Sequence, residues 1–415
     1  MDNFRKTTLD NGVRVITEHI DHVRSAAIGF WFETGSRDEN PDERGISHFL
    51  EHMLFKGTGK RSALQIAREI EQVGGHLNAF TSKELTVYHA SMLNDFLPLA
   101  VDTLADMASH SQFADKMIER EQGVVLEEIS GSEDSPEDVV HEDFSHLLYG
   151  KHPLGSPILG TRDSVSSFTR DDVLNYWSRR YKPENMLISA AGAVDHDKVV
   201  KLVERKLNLP SEAVKRSKRK LPKVRKDTRH ERRKPIVQAH LTIGGEGLSY
   251  ASEERYPFFV MNTVLGGGMS SRLFQRLRER SGLAYSVYPF HEAYHDSGLY
   301  GVYVGLEEKQ VKRAEKMIRE ELQKLINKPI SKASLKRAKD QLKGGLTLGL
   351  ESSAARMHRL ARMDIYLKRF VSLDELLEGI DSVSIEGVQE VSRTLFDKEL
   401  IVATVLPDGS VPQMG

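Results

Sequence analysis

Two histidines and a glutamate lie close together near the start of the chain, in the run HFLEH that spans residues 48–52. If this run is helical, His48, Glu51 and His52 share one face, because residues three and four positions apart are neighbours on a helix. Two imidazoles one turn apart can bind a single metal ion, and a carboxylate beside them can act as a base. The alternative interpretation is a helix that carries two surface histidines next to a solvated carboxylate.

A third metal ligand must come from elsewhere in the chain, because catalytic zinc usually has three protein ligands and one position for water. The sequence has no cysteine, so this ligand is a His, an Asp or a Glu. An acidic helical pattern downstream offers five candidates: Glu119, Glu121, Glu127, Glu128 and Glu133. Glu121 and Glu128 share one helical face, whereas Glu127 points about 100° away. Bound zinc brings the pKa of water towards neutrality, and Glu51 is placed to take the proton and pass it to a leaving amine.

Composition and charge restrict the classes of protein to which the chain can belong. Its 415 residues predict two or more domains, and 39% hydrophobic with 29% charged residues describes an ordinary soluble globular protein. The net charge of −1 gives no overall attraction to nucleic acid or to acidic lipid, so neither is an expected partner. We find no signal peptide, transit peptide or membrane-spanning run, and we expect a cytoplasmic protein that does not bind membranes.

The elements around the HFLEH run follow a regular order. Residues 6–18 alternate around an Asn-Gly turn and predict a hairpin, and the apolar run after residue 25 predicts a further strand. Ser62 and Gln65 form a capping box for a second helix, which is followed by two antiparallel strands in residues 76–93. Long helical patterns, a strand near residue 188 and a helix capped by Asp195 complete the first half.

The second half repeats this organisation at an offset of 209 residues, but His48, Glu51 and His52 then align with Pro257, Val260 and Met261. We therefore predict an α+β fold of two homologous α/β-sandwich units, each an antiparallel-rich sheet with helices packed on it. The predicted boundaries are 1–209 for a catalytic unit with the metal site and 235–415 for a second unit without ligands. The basic stretch 210–234 between them predicts a solvated linker, with nucleic-acid binding as the less favoured interpretation because aromatic residues are absent.

The spaced motifs resemble the pitrilysin family of zinc metallopeptidases, whose inverted H-x-x-E-H motif defines the inverzincins. The similarity is greatest to the branch of mitochondrial processing peptidase β subunits and their bacterial homologues. Nearly the whole chain takes part in it, through HFLEHMLFKGT, GGHLNAFTS, EREQGVVLEEI and SSRLFQRLRERSGLAYSVY in that order.

The resemblance implies one Zn²⁺ per chain, held by His48, His52 and Glu128, with Glu51 as the catalytic base. It implies that Glu121 supports the ligands, and that Arg278 and Tyr285 contact the substrate and the reaction intermediate. It also implies that Asn78, Ala79 and Phe80 lie on an edge strand to which an extended peptide adds as a new strand, although a plain core hairpin remains open as an interpretation.

Two units are half the number in the single-chain peptidases of this family, so the resemblance implies a clam shell formed by two chains. Because this chain has both the zinc motif and the Arg/Tyr pair, we expect a homodimer. The expected activity is that of a zinc endopeptidase acting on unfolded peptides or presequence-like segments inside the enclosed chamber. The alternative is a non-catalytic core, scaffold or partner subunit with the same fold, and a hydrolase of small amides is a further reading of the zinc motif alone.

Overall fold

A computed structural model describes residues 4–209, 219–223 and 228–410. The first half contains the predicted hairpin, the HFLEH helix and the two strands after it, and its helices begin where the capping residues predict. Ser62 Oγ accepts a hydrogen bond from the backbone N–H of Gln65, and Asp195 Oδ1 accepts one from Lys198 at 3.0 Å. In order, its elements are β1 (Phe4–Thr8), β2 (Arg14–His19), β3 (Ser25–Phe32), α1 (Ile46–Leu54), α2 (Ala63–Glu71), β4 (His76–Thr81), β5 (Thr86–Leu93), α3 (Leu97–His110), α4 (Asp115–Asp134), α5 (Pro136–Tyr149), α6 (Arg162–Ser167), α7 (Arg170–Arg180), β6 (Met186–Gly192) and α8 (His196–Lys206).

The second half places a helix where the offset of 209 predicts one, and this helix, α9, buries Val260 and Met261 in place of Glu51 and His52. Its elements are β7 (Arg229–Lys234), β8 (Ala239–Glu246), α9 (Arg255–Gly266), β9 (Ala284–Ala293), β10 (Gly298–Leu306), α10 (Val311–Asn327), α11 (Lys332–Gly349), α12 (Ser353–Arg362), α13 (Leu373–Asp381), α14 (Ile385–Phe396) and β11 (Ile401–Pro407), with π-helical turns at Phe274–Glu279 and Met363–Leu367.

The chain divides into two compact units, each built on one mixed sheet. Unit 1 comprises Met1–Ser130, Pro157–Lys220 and Gly349–Phe370, and its sheet has the order β1-β2-β6-β3-β5-β4. Unit 2 comprises Gly131–Ser156, Leu221–Leu348 and Val371–Gly415, and its sheet has the order β7-β11-β8-β10-β9. In each sheet one strand pair is parallel, β2 with β6 and β7 with β11, and the others are antiparallel. This duplicated, antiparallel-rich α+β architecture confirms the predicted fold class.

Each unit includes one helix from the other half of the sequence. Helix α12 packs on β2, β3 and β6 in unit 1, and α5 packs on β8 and β11 in unit 2. Ion pairs fix both: Arg356 on α12 contacts Glu18 at 2.5 Å, and Asp143 on α5 contacts Arg232 at 2.6 Å. The predicted division into residues 1–209 and 235–415 concerns the two halves of the sequence and stays a prediction. Each predicted segment is continuous in sequence, so neither contains the helix that its unit takes from the other half.

The predicted linker 210–234 needs a correction at its end, because Arg229–Lys234 forms β7, which pairs in parallel with β11. This strand is highly charged and mostly exposed, which is typical of an edge strand protected from further pairing. Arg219, also within the predicted linker, contacts Asp38 at 2.7 Å in unit 1. Residues 210–218 and 224–227 lie outside the described part of the chain.

Candidate functional site

Helix α1 positions the HFLEH residues through its opposite face. Phe49, Leu50 and Met53 are fully buried in the core of unit 1, so the face that carries His48, Glu51 and His52 is left partly exposed. The N-terminus of the helix is held by the buried Glu39, whose carboxylate accepts hydrogen bonds from the backbone N–H groups of Gly45 at 2.9 Å and Ser47 at 2.8 Å. This contact satisfies backbone donors that a helix start otherwise leaves unpaired.

Glu128 of α4 lies against the two histidines. Its two carboxylate oxygens are each 3.6 Å from a histidine, one from His48 Nε2 and the other from His52 Nε2. The three ligand atoms all lie within 4.8 Å of one another, and no other group of three such residues is found in the described part of the chain. Tetrahedral zinc with bonds of about 2.0–2.2 Å separates its ligand atoms by roughly 3.4 Å. The donor set and its spacing therefore fit zinc with one position left for water.

The imidazoles have different protonation tendencies. Burial, followed by the nearby His52, lowers the pKa of His48 to about 4. Burial also disfavours a charged His52, but the carboxylates of Glu121, Glu128 and Glu51 outweigh it, so its pKa is raised. A neutral imidazole is the form that ligates a metal. His48 Nδ1 is buried and has no hydrogen-bond partner among the described residues, unlike His52.

Glu121 supports His52 from behind. Its carboxylate lies 3.3 Å from His52 Nδ1 and 2.9 Å from Lys56 Nζ, and its side chain is almost completely buried. Burial alone would raise its pKa, but the contacts with His52 and Lys56 outweigh this and lower the pKa. Such a contact fixes the ring orientation of a ligating histidine. Sequence reasoning named Glu121 but missed Lys56, although Lys56 lies only four residues after His52.

Glu51 contacts the strand next to α1. Thr81, the last residue of β4, donates a hydrogen bond from Oγ1 to Glu51 Oε2 at 2.5 Å. Burial raises the pKa of Glu51, and the bond from Thr81 and the neighbouring His52 partly offset that rise. Sequence reasoning did not single out Thr81. The position of Thr81, directly after the Asn78–Phe80 run, was the available signal.

The predicted peptide edge is the end strand of the sheet. Strand β4 pairs with β5, and no other described strand pairs with it. Ala79 packs towards the core, whereas the ring of Phe80 lies 6.0 Å from Trp31 and 5.8 Å from His358. The Oδ1 atom of Asn78 accepts a hydrogen bond from the backbone N–H of Ala79 at 2.8 Å.

Arg278 and Tyr285 lie together in unit 2, in a π-helical turn and at the start of β9. The Arg278 guanidinium is 5.1 Å from the centre of the Tyr285 ring and 4.9 Å from that of Phe274. Tyr285 is 78% exposed, so its hydroxyl is available to a ligand. The role of this pair at the zinc site stays a prediction.

Two family models match successive parts of the chain, and the division between them lies between residues 162 and 167. Residues 14–162 match the family described as Insulinase (Peptidase family M16), and residues 167–342 match the Peptidase M16 inactive domain. A Bacillus subtilis protein named an uncharacterized zinc protease is 41% identical over 99% of this chain and 100% of its own length. The chain belongs to peptidase family M16. The predicted resemblance is thereby confirmed, since pitrilysin and insulinase belong to this same family.

Further comparisons agree with this M16 assignment. An uncharacterized zinc protease of Streptomyces coelicolor is 40% identical over 97% of this chain and 89% of its own. A Helicobacter pylori protease structure superposes with a TM-score of 0.91 at 21% identity, covering 98% of this chain and all of that one. A chain of complex III2 from Candida albicans superposes with a TM-score of 0.84 at 24% identity, covering 97% and 95%. At these identities the structures show the shared fold alone, whereas the named relatives support a metallopeptidase function.

The described helices of the M16 chain include none with both the length and the apolar character needed to cross a membrane.

Proposed function

We propose that this chain is a zinc-dependent endopeptidase that hydrolyses unfolded peptides or presequence-like segments. The observation that carries the proposal is that Glu128 of α4 meets His48 and His52 of α1 beside Glu51. Helix α1 in turn contacts the edge strand β4. This arrangement combines a three-ligand metal site, a carboxylate base and an open strand within one unit.

The proposed reaction divides the work among these residues. His48, His52 and Glu128 hold one Zn²⁺ per chain, and zinc bound there supplies a Lewis acid that activates water and polarises the scissile carbonyl. Glu51 accepts a proton from the attacking water and delivers it to the nitrogen of the leaving amine. Glu121, itself paired with Lys56, keeps the imidazole of His52 in the orientation required of a ligand.

The peptide is proposed to bind by adding a strand to β4 along Asn78, Ala79 and Phe80. Backbone hydrogen bonds then supply affinity without a requirement for one side chain, which suits unfolded substrates. Arg278 and Tyr285 are proposed to act on the same substrate, with Tyr285 donating to the developing oxyanion and Arg278 to a substrate carbonyl.

We further propose that two copies of the chain form a clam shell whose chamber selects substrates by size, and that the protein works in the cytoplasm. The family resemblance and the presence of both residue sets in one chain support the homodimer. Light scattering coupled to gel filtration should give twice the mass of the chain for the active species. A fully active monomer, or an active species containing an unequal partner, would contradict this part of the proposal.

The deciding experiment measures cleavage of an unstructured peptide by the purified chain, with and without a chelator, beside Glu51→Gln. We expect chelator-sensitive cleavage by the wild type. The variant should bind one zinc per chain, measured by elemental analysis, and lose turnover. Equal cleavage by the variant would overturn the mechanism. Peptide binding without cleavage by the wild type would favour the alternative of a non-catalytic core or partner subunit, which the intact ligand set disfavours.

A further inference from the structure

Strand β4 contacts the proposed base as well as forming the open edge of the sheet. Thr81 ends this strand, and its hydroxyl donates to Glu51 Oε2 at 2.5 Å. No hydrogen bond from the described residues to the other carboxylate oxygen, Oε1, is found. One oxygen of the base is therefore held by the protein, while Oε1 is left to exchange a proton.

The backbone around Thr81 is well fixed. Thr81 pairs with Thr86 in the β4–β5 ladder, and the turn that follows is closed by a hydrogen bond from the Ser82 N–H to the Leu85 carbonyl at 2.7 Å. A β-branched side chain has few rotamers, so a fixed backbone also fixes the direction of the Thr81 hydroxyl. The donor is therefore preorganised and does not depend on a mobile loop.

Glu51 itself needs such a contact. Helix α1 is fixed by the buried neighbours Leu50 and Phe49, but the Glu51 side chain has three rotatable bonds and is only partly buried. Among the described residues, no side chain of α1 donates a hydrogen bond to the Glu51 carboxylate, and the hydroxyl of Thr81 is its donor. A hydrogen bond to one carboxylate oxygen selects a rotamer and restricts the rotation of the carboxylate plane.

We propose that Thr81 is a positioning residue for Glu51, and that it links the peptide edge to the catalytic base. This inference rests on the proposed peptidase function. If the substrate adds to β4, the strand that sets the register of the scissile bond is the same strand that orients the base. Binding of an extended peptide and alignment of the base are then set by one element.

The test compares Thr81→Val with Thr81→Ser in the zinc-loaded full-length chain, using an unstructured fluorogenic peptide. Valine keeps the β-branched shape and removes the donor, whereas serine keeps the donor. We expect Thr81→Val to lower kcat by about 10- to 100-fold, because a misplaced general base loses part of its contribution to the rate. The KM should stay within about twofold of the wild-type value, and the zinc content should not change. Thr81→Ser should stay within about threefold of wild type. Ser82→Ala is the matched control, because it removes the neighbouring hydroxyl without touching Glu51.

Two further measurements separate positioning from a structural role. In a Glu51→Gln background, Thr81→Val should lower the residual rate no further, because the two residues act as one unit. A crystal structure of Thr81→Val should show the Glu51 carboxylate displaced or spread over several rotamers, a readout that does not depend on activity.

A wild-type kcat in Thr81→Val, or an unmoved Glu51 in its crystal structure, would overturn the inference and leave the peptidase function standing. Loss of zinc or of thermal stability without a specific loss of kcat would also overturn it, since Thr81 would then be structural. If the wild type shows no zinc-dependent cleavage, the proposed function fails and the inference fails with it.

Discussion

Glu39, which holds the start of the helix that carries His48 and His52, should make the stability of the protein depend on pH. Its carboxylate is almost completely buried and accepts hydrogen bonds from Gly45 and Ser47. Burial raises its pKa from 4.5 to about 7, although the two backbone donors, the Ser47 hydroxyl and the charge of Lys83 act in the opposite direction. The hydroxyl of Tyr176, which contacts Ser47 at 2.7 Å, also lies close enough to Glu39 to feel its charge.

The sign follows from proton linkage. Because the pKa is higher in the folded than in the unfolded chain, the folded protein holds this proton more tightly. The stability contribution of Glu39 is therefore fully present below pH 4.5 and is lost as the pH rises through 7. At about 1.4 kcal/mol per pKa unit the whole loss is on the order of 3 kcal/mol, of which about 2.5 kcal/mol falls between pH 5 and pH 8.

The perturbation is Glu39→Gln, which keeps the shape and removes the titration. One lost or mispaired hydrogen bond costs about 1 kcal/mol at every pH, so the variant shifts the stability by a constant amount. Thermal unfolding with a chelator present is measured at pH 5, 6, 7 and 8 for both proteins. At each pH the unfolding temperature of the variant is subtracted from that of the wild type, which gives a relative midpoint. This relative midpoint should fall by about 5–10 °C from pH 5 to pH 8, for a cooperative unit of 150–250 residues.

Asp42→Asn is the matched control, since it removes an exposed carboxylate from the same segment, and its midpoint should follow the wild type across the series. Wild-type and Glu39→Gln curves that stay parallel from pH 5 to pH 8 would refute the reasoning. Glu39 would then be ionised in the folded protein throughout, as an ordinary capping carboxylate is.

Two further predictions concern the metal site and the peptide edge. Glu121→Gln should weaken zinc binding by about 10- to 100-fold in chelator competition, because His52 loses its charged partner. Lys56→Met should weaken zinc binding less. Glu119→Gln, which changes an exposed carboxylate on the same helix, should leave zinc affinity unchanged. An unchanged zinc affinity in Glu121→Gln would show that Glu121 is not needed to orient His52. Ala79→Pro, which removes a backbone donor from β4, should raise KM for an unstructured peptide roughly 3- to 10-fold with little change in kcat. An unaltered KM in a folded variant would argue against strand addition at this position.

Local patterns predicted the local structure well. The Asn-Gly hairpin, the helix around His48 and the helices capped by Ser62 and Asp195 form as their residues indicate, because the signals lie within a few positions of the structure that they specify. Glu128 was one of five candidates until the family resemblance selected it. The helical period alone puts Glu121 and Glu128 on the same face. The structure places Glu121 behind His52 and Glu128 beside both histidines.

The contacts that sequence reasoning missed join residues distant along the chain. Thr81 lies thirty residues after Glu51, and nothing in either local pattern indicates that a strand end meets a helix face. Glu39 lies in an acidic loop where solvated carboxylates are the ordinary expectation. Only the folded backbone shows that its carboxylate is turned inwards onto the start of α1.

The exchanged helices were partly foreseeable from the strands. Strands β6, β10 and β11 are buried at every residue, and their sequences are nearly continuous apolar runs without polar alternation. A strand of this kind lies in a sheet that is covered on both faces. The sequence therefore requires a second helical layer for each sheet, but periodicity cannot say which helix provides it. The structure assigns α12 to unit 1 and α5 to unit 2, so each core is completed by residues from the other half of the chain. A boundary drawn where the sequence repeats consequently differs from the boundary of the compact unit, and the unit that contains His48, His52 and Glu128 also includes Gly349–Phe370.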